Sequence, residues 1–241
     1  MTAKSGRVGS TTGVRGPWGE APDDMRKRAL RILRALKKAY PDAHVPLNYS
    51  SPLELMVATI LSAQCTDKRV NEVTASLFRK YREPSDWAAA SQDVLEDQIR
   101  STGFFRNKAR AIRESTADLI EKHGGEVPDS IEKLTALRGI GRKSANVLLA
   151  HAFDGQGIIV DTHFRRISRR LGMTAEMDPV KIEFELQAII PKRRWSDFSV
   201  FINWHGRETC YARKPDCGCC VIVKDCPARK SAGEITWVVK K

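Results

Sequence analysis

The 241-residue sequence contains no apolar run long enough to cross a membrane, no signal-peptide core and almost no strand signal. The first two absences predict a cytoplasmic or nucleoid-associated protein without a membrane partner. Disulfides seldom persist in that compartment, so they are the weaker interpretation of the cysteines. The one β-branched run, at residues 158–160, is short and is predicted to be an extended linker. No internal repeat is visible, and the sequence predicts an all-α fold.

Apolar residues recur at helical spacing along most of the chain. From Asp23 they predict an amphipathic helix that Pro41 ends. Further helices are predicted at residues 53–63, 67–81, 91–101, 106–123, 130–137, 142–153, 164–172, 179–190 and 196–208. Predicted helix stops are Pro84, Gly103, the Gly124-Gly125 pair and Pro191. Residues 1–21 have almost no apolar content and are predicted to be a disordered basic tail.

Positive charge is concentrated at both ends of the chain. The formal net charge is +12, divided as +7 over residues 1–40, −1 over residues 41–160 and +6 over residues 161–241. A balance this basic indicates a polyanionic partner, most simply nucleic acid. The division predicts that the two ends meet in one basic domain while the middle forms another. Two unrelated basic faces remain the alternative.

Four cysteines are closely spaced near the C-terminus. Cys210, Cys217, Cys220 and Cys226 are separated by six, two and five residues, and Pro227 follows the last of them. Four converging thiolates can hold either zinc or a [4Fe-4S] cluster. Zinc sites usually pair two Cys-x-x-Cys segments, and here there is one. The spacing therefore favours an iron–sulfur cluster and leaves zinc open.

A second pattern, at residues 128–153, predicts two helices joined by a glycine turn. Asp129 or Ser130 can cap the first helix, and the turn Arg-Gly-Ile-Gly at residues 138–141 precedes the second. Glycines at both turn positions permit positive φ and leave room for a phosphate near the backbone. The next helix then offers its free N–H groups to that phosphate. An ordinary helical turn with a glycine cap is the alternative.

Two residues next to this pattern can carry chemistry, and each also has a simpler interpretation. Lys143 lies in the first turn of the second helix, where it can act as a nucleophile or contact phosphate. A lysine with an ordinary pKa of about 10.4 is almost fully charged at pH 7, so a nucleophilic lysine must have a lowered pKa. Asp161 can cap a helix and still face a substrate, and His163 can lie at the surface or contact phosphate.

Three segments, in this order, resemble the endonuclease III family, the iron–sulfur branch of the helix-hairpin-helix DNA glycosylases. They are PDSIEKLTALRGIGRKSANVLL, VDTHFRR and HGRETCYARKPDCGCC followed by one more cysteine. The resemblance extends over residues 24–230. It implies a six-helix barrel domain with the hairpin at residues 44–155 and an iron–sulfur domain built from residues 22–43 and 156–241. A DNA-binding cleft is expected between the two domains.

The resemblance also implies an activity. The chain is expected to act as a monomer on double-stranded DNA that contains an oxidised pyrimidine or an abasic site. Lys143 would attack C1′ as the nucleophile and Asp161 would assist, and the resulting Schiff base would allow β-elimination. Cys210, Cys217, Cys220 and Cys226 would hold a [4Fe-4S] cluster. Related branches that remove mispaired adenine or thymine generally lack lysine at the position of Lys143. Such a monofunctional glycosylase, and a non-catalytic iron–sulfur DNA-binding module, remain as alternatives.

A damaged base must leave the helix before it can react, and a side chain must fill the gap. By resemblance Gln64 and Phe104 fill it, and the full set of implied DNA contacts is Ser62, Gln64, Asp67, Phe104, Arg138, Gly139, Gly141, His163, Arg213 and Lys214. Local patterns offer simpler interpretations. Ser62 and Gln64 can be polar groups at a helix end, Asp67 can be an N-cap, and Phe104 can belong to the core.

The sequence departs from the family in several places. Arg138 occupies a turn position where the family usually has proline, and Phe104 replaces a commonly aliphatic residue. Cys219 is a fifth thiol between two expected ligands, where it could compete for iron or become oxidised. Cys65 is expected to be a buried, inert thiol.

Overall fold

The computed structural model describes residues 19–153 and 155–230, and within these ranges the chain is helical and contains no strand. The α-helices are α1 (Pro22–Ala39), α2 (Pro52–Leu61), α3 (Asp67–Lys80), α4 (Pro84–Ala89), α5 (Gln92–Ile99), α6 (Phe105–His123), α7 (Ile131–Ala136), α8 (Arg142–Ala152), α9 (Thr162–Arg170), α10 (Pro179–Ile189), α11 (Trp195–Glu208) and α12 (Pro227–Lys230). Single-turn 3₁₀ helices lie at Arg100–Thr102, Lys192–Arg194 and Val223–Asp225. The all-α prediction is confirmed.

The predicted helices agree closely with the structure, except that the short helices α4 and α12 were not predicted. Pro84 follows the end of α3 at Lys80, as a predicted helix stop should, but it also begins α4. Proline is well suited to the first position of a helix, because the N–H it lacks would have no intrahelical partner there. Oδ2 of Asp86 supports the start of α4 by accepting from the backbone N–H groups of Arg82 and Glu83, at 2.8 and 3.0 Å.

The middle of the chain folds around one hydrophobic core. Helix α2 lies at its centre, and eight of its residues are buried, because its apolar side chains point in all directions. Helices α4 and α5 pack against α6, and α8 packs against α2. The core continues through Leu95, Ile112 and Leu148.

A second core joins the two ends of the chain. The apolar face of α1, with Met25, Ile32 and Leu36, packs against α10 and α11, and α9 packs against α11. Phe164 and Phe198 meet edge to face at its centre, with 6.0 Å between ring centroids. These two cores support the expected division of the chain, although the domain boundaries at residues 43/44 and 155/156 stay a prediction.

The predicted basic tail lies mostly outside the described residues. Its last part is ordered, because Glu20 forms a 2.6 Å ion pair with Arg28, which is only 7% exposed. Arg28 also donates to the carbonyl of Leu171, at 2.8 Å. The described chain therefore begins before residue 22. Every helix in the described part of the chain is too short or too polar to cross a bilayer.

Candidate active site

A cavity of about 310 Å³ lies between the two cores. The turn between α2 and α3 and one face of α8 form its first wall, and the start of α9 and one face of α11 form its second. The cavity brings together Ser62, Gln64, Asp67, Lys143 and Asp161. These five predicted site residues come from three separate segments of the sequence, so the fold alone makes them neighbours.

Lys143 is the second residue of α8 and projects into the cavity with its side chain exposed. Gly141 is the N-cap of α8 and has no side chain that could cover the helix end. Lys143 therefore lies among the free N–H groups and the positive dipole end of the helix. The same face of α8 continues along the cavity wall with Val147 and His151.

Asp161 has both of its carboxylate oxygens occupied. Its Oδ1 accepts from the backbone N–H of Phe164 at 2.7 Å and so caps α9, as one interpretation of the sequence predicted. Its Oδ2 accepts a short hydrogen bond from Nδ2 of Asn203. The carboxylate is thus held from two sides while it lines the cavity. Asp161 therefore caps α9 and at the same time lines the cavity as an anion.

Asn203 and Arg207 extend this network across the cavity. Nε of Arg207 donates to Oδ1 of Asn203 at 2.9 Å, and Nη1 of Arg207 donates to Oδ2 of Asp67 at 2.9 Å. A continuous chain of hydrogen bonds therefore connects Asp161 in the second core to Asp67 at the start of α3. Sequence reasoning assigned no role to Asn203 or Arg207, although Arg207 lies inside the HGRETC segment.

The turn between α2 and α3 corrects one local interpretation. Thr66 is the N-cap of α3, since its hydroxyl accepts from the N–H of Arg69, so the interpretation of Asp67 as an N-cap is wrong. The Asp67 side chain is free to bind Arg207 instead. Ser62 donates to the carbonyl of Thr59 at 2.8 Å, as expected of a polar group at a helix end.

Three non-glycine residues in the described ranges have a left-handed backbone. They are Gln64, Phe104 and Lys214, with φ of 53°, 50° and 51°. Such conformations are disfavoured outside glycine and cluster at functional sites. All three are predicted DNA contacts. Phe104 is also 60% exposed, so its interpretation as a core residue is wrong.

The glycine turn before α8 needs only one of its two glycines for conformational reasons. Gly139 has φ of 79°, and a Cβ there would lie 2.8 Å from the Cβ of Ala111. Gly141 has φ of −83°, so only Gly139 uses the positive φ that glycine permits at the two positions. No atom lies within 4 Å of a Cβ built on Gly141, which leaves the helix end open. Arg138 is exposed and pairs with Glu114 at 2.8 Å.

Several other predicted contacts lie away from the cavity lining. His163 is in the first turn of α9, where its Nδ1 lies 3.2 Å from Nη2 of Arg166. Arg213 and Lys214 are exposed in the loop between Cys210 and Cys217. The cavity lining likewise contains neither Phe104 nor the turn at residues 138–141.

The four spaced cysteines meet at a second, smaller cavity of about 60 Å³. Sγ of Cys210 accepts from Nη1 of Arg170 at 3.1 Å, and Sγ of Cys220 lies 3.7 Å from Nε2 of the buried His205. Burial raises the pKa of the Cys220 thiol to about 11 and also raises the pKa of Cys226. A thiolate at these positions therefore requires a positive charge beside it.

Among the described residues, no group of three or more His, Cys, Asp or Glu side chains is arranged to hold a metal ion. Cys219 is exposed and outside the second cavity, while Cys65 is half-buried against the first core.

Comparison with known proteins identifies the family. The sequence profile of the HhH-GPD superfamily, described as base excision DNA repair proteins, matches residues 57–192. An endonuclease III from Synechocystis sp. is 48% identical over 208 residues, which cover 86% of this chain and 95% of that relative. The chain belongs to the endonuclease III family. The family resemblance inferred from the three sequence segments is thereby confirmed, and membership implies a bound cofactor.

Two solved structures of endonuclease III are similar to this one. A non-covalent endonuclease III–DNA complex aligns with a TM-score of 0.81 and 42% identity, covering 87% of this chain and 99% of that chain. A trapped endonuclease III–DNA covalent intermediate aligns with the same score and identity, covering 86% and 98%. The fold of this endonuclease III family member is thus one that has been observed with DNA.

Proposed function

We propose that this chain removes oxidised pyrimidines from double-stranded DNA and then cleaves the abasic site by β-elimination. The observation that carries the proposal is the meeting of Lys143 and Asp161, an amine and a carboxylate, in one cavity between the cores. Similarity to an endonuclease III that was trapped in a covalent DNA intermediate supports a covalent route. Domain boundaries at residues 43/44 and 155/156 would place the cavity between the barrel domain and the iron–sulfur domain.

In the proposed reaction the neutral Nζ of Lys143 bonds to C1′ as the bond from C1′ to the damaged base breaks. The base leaves with the electron pair and takes up a proton. Positive charge that develops on the sugar is stabilised by the Asp161 carboxylate, which Asn203 and the α9 backbone hold in place. Loss of the Lys143 proton and ring opening give a Schiff base, and removal of a C2′ proton then expels the 3′ phosphate.

The amine of Lys143 is exposed in the free protein. Bound DNA would displace water from the cavity, and electrostatic interactions are stronger in a site without water. We therefore propose that DNA binding completes the site around the nucleophile.

Other predicted contacts would stabilise the DNA after the damaged nucleotide has left the duplex. Gln64 and Phe104 would fill the gap left by the flipped nucleotide, and the left-handed backbone of both residues supports this role. Ser62 and Asp67 would line the entrance, while the open turn with Arg138, Gly139 and Gly141, together with His163, Arg213 and Lys214, would bind phosphates. Contacts to DNA phosphates bind the duplex without recognising its base sequence.

We propose a [4Fe-4S] cluster at the second cavity, held by Cys210, Cys217, Cys220 and Cys226. The four cysteines line one cavity, and their spacing along the sequence supports a cluster. When bound, the cluster would supply the positive charge that stabilises the thiolates and would hold the loop that carries Arg213 and Lys214. With DNA as substrate, the protein would act as a monomer at the nucleoid in the cytoplasm.

Borohydride trapping tests the proposal. Incubation with a duplex that carries an oxidised thymine should give a covalent protein–DNA adduct, and Lys143→Gln should bind the duplex without forming it. The control is Lys133→Gln, which removes an exposed lysine of α7 that does not line the cavity. An unchanged adduct yield from Lys143→Gln would remove Lys143 from the mechanism. Base release without an adduct would indicate a monofunctional glycosylase. If the protein binds the duplex but neither releases the base nor forms an adduct, it is a non-catalytic DNA-binding module.

A further inference from the structure

Lys108 of α6 is a buried ammonium group without an acidic partner. Its exposure is 4%, and no carboxylate of the described residues forms an ion pair with it. Lysine is almost never fully buried unless it is paired. Here the partners are two backbone carbonyls, because Nζ donates to Leu61 at 2.8 Å and to Thr102 at 2.7 Å.

Both carbonyls lie at helix ends next to the residues proposed to enter the DNA. Leu61 is the last residue of α2, three positions before Gln64, and Thr102 ends the 3₁₀ helix, two positions before Phe104. Terminal carbonyls of a helix have no intrahelical donor and carry its negative dipole end. The ammonium group of Lys108 therefore donates hydrogen bonds to both helix ends and connects them.

The two segments it joins are strained, which makes a fixed support necessary. Gln64 and Phe104 have left-handed backbones, and such residues persist only when the surrounding structure holds them. Burial lowers the pKa of Lys108 from its ordinary value, since desolvation disfavours the charged form. An apolar side chain would fill the same space without that cost. A buried lysine at this position is explained if the relative positions of the two segments matter more for function than the free energy of unfolding.

We propose that Lys108 is a positioning residue that sets the spacing of the two segments which insert Gln64 and Phe104 into DNA. This inference rests on the proposed function of those two residues. Because Lys108 is buried beneath both segments, it acts through them and has no contact with the nucleic acid. It holds Gln64 and Phe104 in place before DNA binds, so the protein need not order them during base flipping.

The test separates lesion binding from general DNA binding. Lys108→Met keeps the length and apolar stem of the side chain but leaves both carbonyls without their donor. Affinity is measured for a duplex with a tetrahydrofuran abasic-site analogue, which presents the gap but cannot react, and for the same duplex undamaged. We expect affinity for the analogue duplex to fall about tenfold, the size expected when charge-assisted hydrogen bonds are lost. Affinity for the undamaged duplex should stay the same, because phosphate contacts provide it.

A matched control excludes loss of stability as the cause. Leu119→Ala opens a cavity in the fully buried part of the same helix, far along the chain from both segments. It should lower thermal stability and leave the ratio of the two affinities unchanged. If Lys108→Met and Leu119→Ala change this ratio equally, Lys108 has only a structural role and the inference is wrong.

A double-mutant cycle tests the route of action. In a background of Gln64→Ala with Phe104→Ala, Lys108→Met should have no further effect on the affinity ratio, because the side chains it positions are gone. A full effect in that background would overturn the inference. The proposed function is wrong if the unaltered protein neither binds the analogue duplex more tightly than the undamaged duplex nor forms the borohydride adduct. If the unaltered protein does both, the Lys108 inference is wrong when Lys108→Met has the same ratio of the two affinities as the unaltered protein.

Discussion

Replacement of Asn203 tests whether the orientation of the Asp161 carboxylate limits the rate of base removal. Asn203→Leu keeps the approximate shape of the side chain but removes the amide that donates to Oδ2 of Asp161. It also removes the oxygen that accepts from Nε of Arg207, whose other hydrogen bond, to Asp67, remains. The N-cap bond from Phe164 to Oδ1 remains at 2.7 Å, so α9 should stay capped and thermal stability should change little. The perturbation thus acts on the orientation of the carboxylate and leaves the carboxylate itself present.

The magnitude follows from the bond that is lost. A hydrogen bond to a charged group contributes about 1.5–3 kcal/mol. If the whole of this contribution acts in the transition state, base removal should slow by roughly tenfold to a hundredfold, since about 1.36 kcal/mol corresponds to a factor of ten. Single-turnover release of an oxidised thymine measures this rate directly. Affinity for the duplex should stay the same, because Asn203 is expected to make no phosphate contact.

The control for this experiment is Gln92→Leu. Nε2 of Gln92 donates to Oε1 of Glu96 at 2.7 Å, so the change removes a comparable amide–carboxylate bond on α5, outside the cavity lining. We expect it to release the base at the unaltered rate. If Asn203→Leu also retains the full rate, the carboxylate does not depend on its second partner and the reasoning is refuted.

Two further predictions concern the glycine turn and the thiols. Gly139→Ala should destabilise the protein by more than about 1 kcal/mol, because it combines positive φ with a 2.8 Å clash against Ala111. Gly141→Ala should change stability far less, and equal urea-unfolding midpoints for the two variants would contradict this account. Cys217→Ser should abolish the visible absorbance and acid-labile sulfide of the purified protein, whereas Cys219→Ser should retain both, since Cys219 is exposed and outside the thiol cavity. Loss of the absorbance in Cys219→Ser would show that this fifth thiol is a ligand.

Features that depend on neighbouring residues were predictable from the sequence. Helix periodicity located most helices, and the spacing of the cysteines indicated that they would meet. The exceptions, α4 and α12, are only six and four residues long, and each begins with a proline. A segment this short contains too few turns for its periodicity to be distinguished from a loop.

Contacts between distant residues could not be predicted in this way. Asn203 lies 42 residues from Asp161, Arg207 lies 140 residues from Asp67, and Lys108 lies 47 residues from Leu61. Nothing in the local pattern around Asn203 or Lys108 distinguishes it from an ordinary polar residue of a helix. Their roles arise only when tertiary packing brings a particular donor to a particular acceptor.

The two members of the proposed catalytic pair belong to different cores, so their separation depends on contacts between those cores. Next to Lys143, Arg142 forms a bidentate ion pair with Glu183 of α10, at 2.8 and 2.9 Å, and the Glu183 side chain is 5% exposed. On the other side, Arg207 binds Asp67 of α3.

Each of these two ion pairs joins one core to the other, and the Arg207–Asp67 pair lines the cavity. Neither pair is fully buried, since the side chains of Arg142 and Arg207 are 33% and 39% exposed, so each pair adds little net stability. We expect the two pairs together to constrain the distance between the amine of Lys143 and the carboxylate of Asp161. A reaction that requires both groups at one sugar carbon depends on that distance more than on the stability of either core.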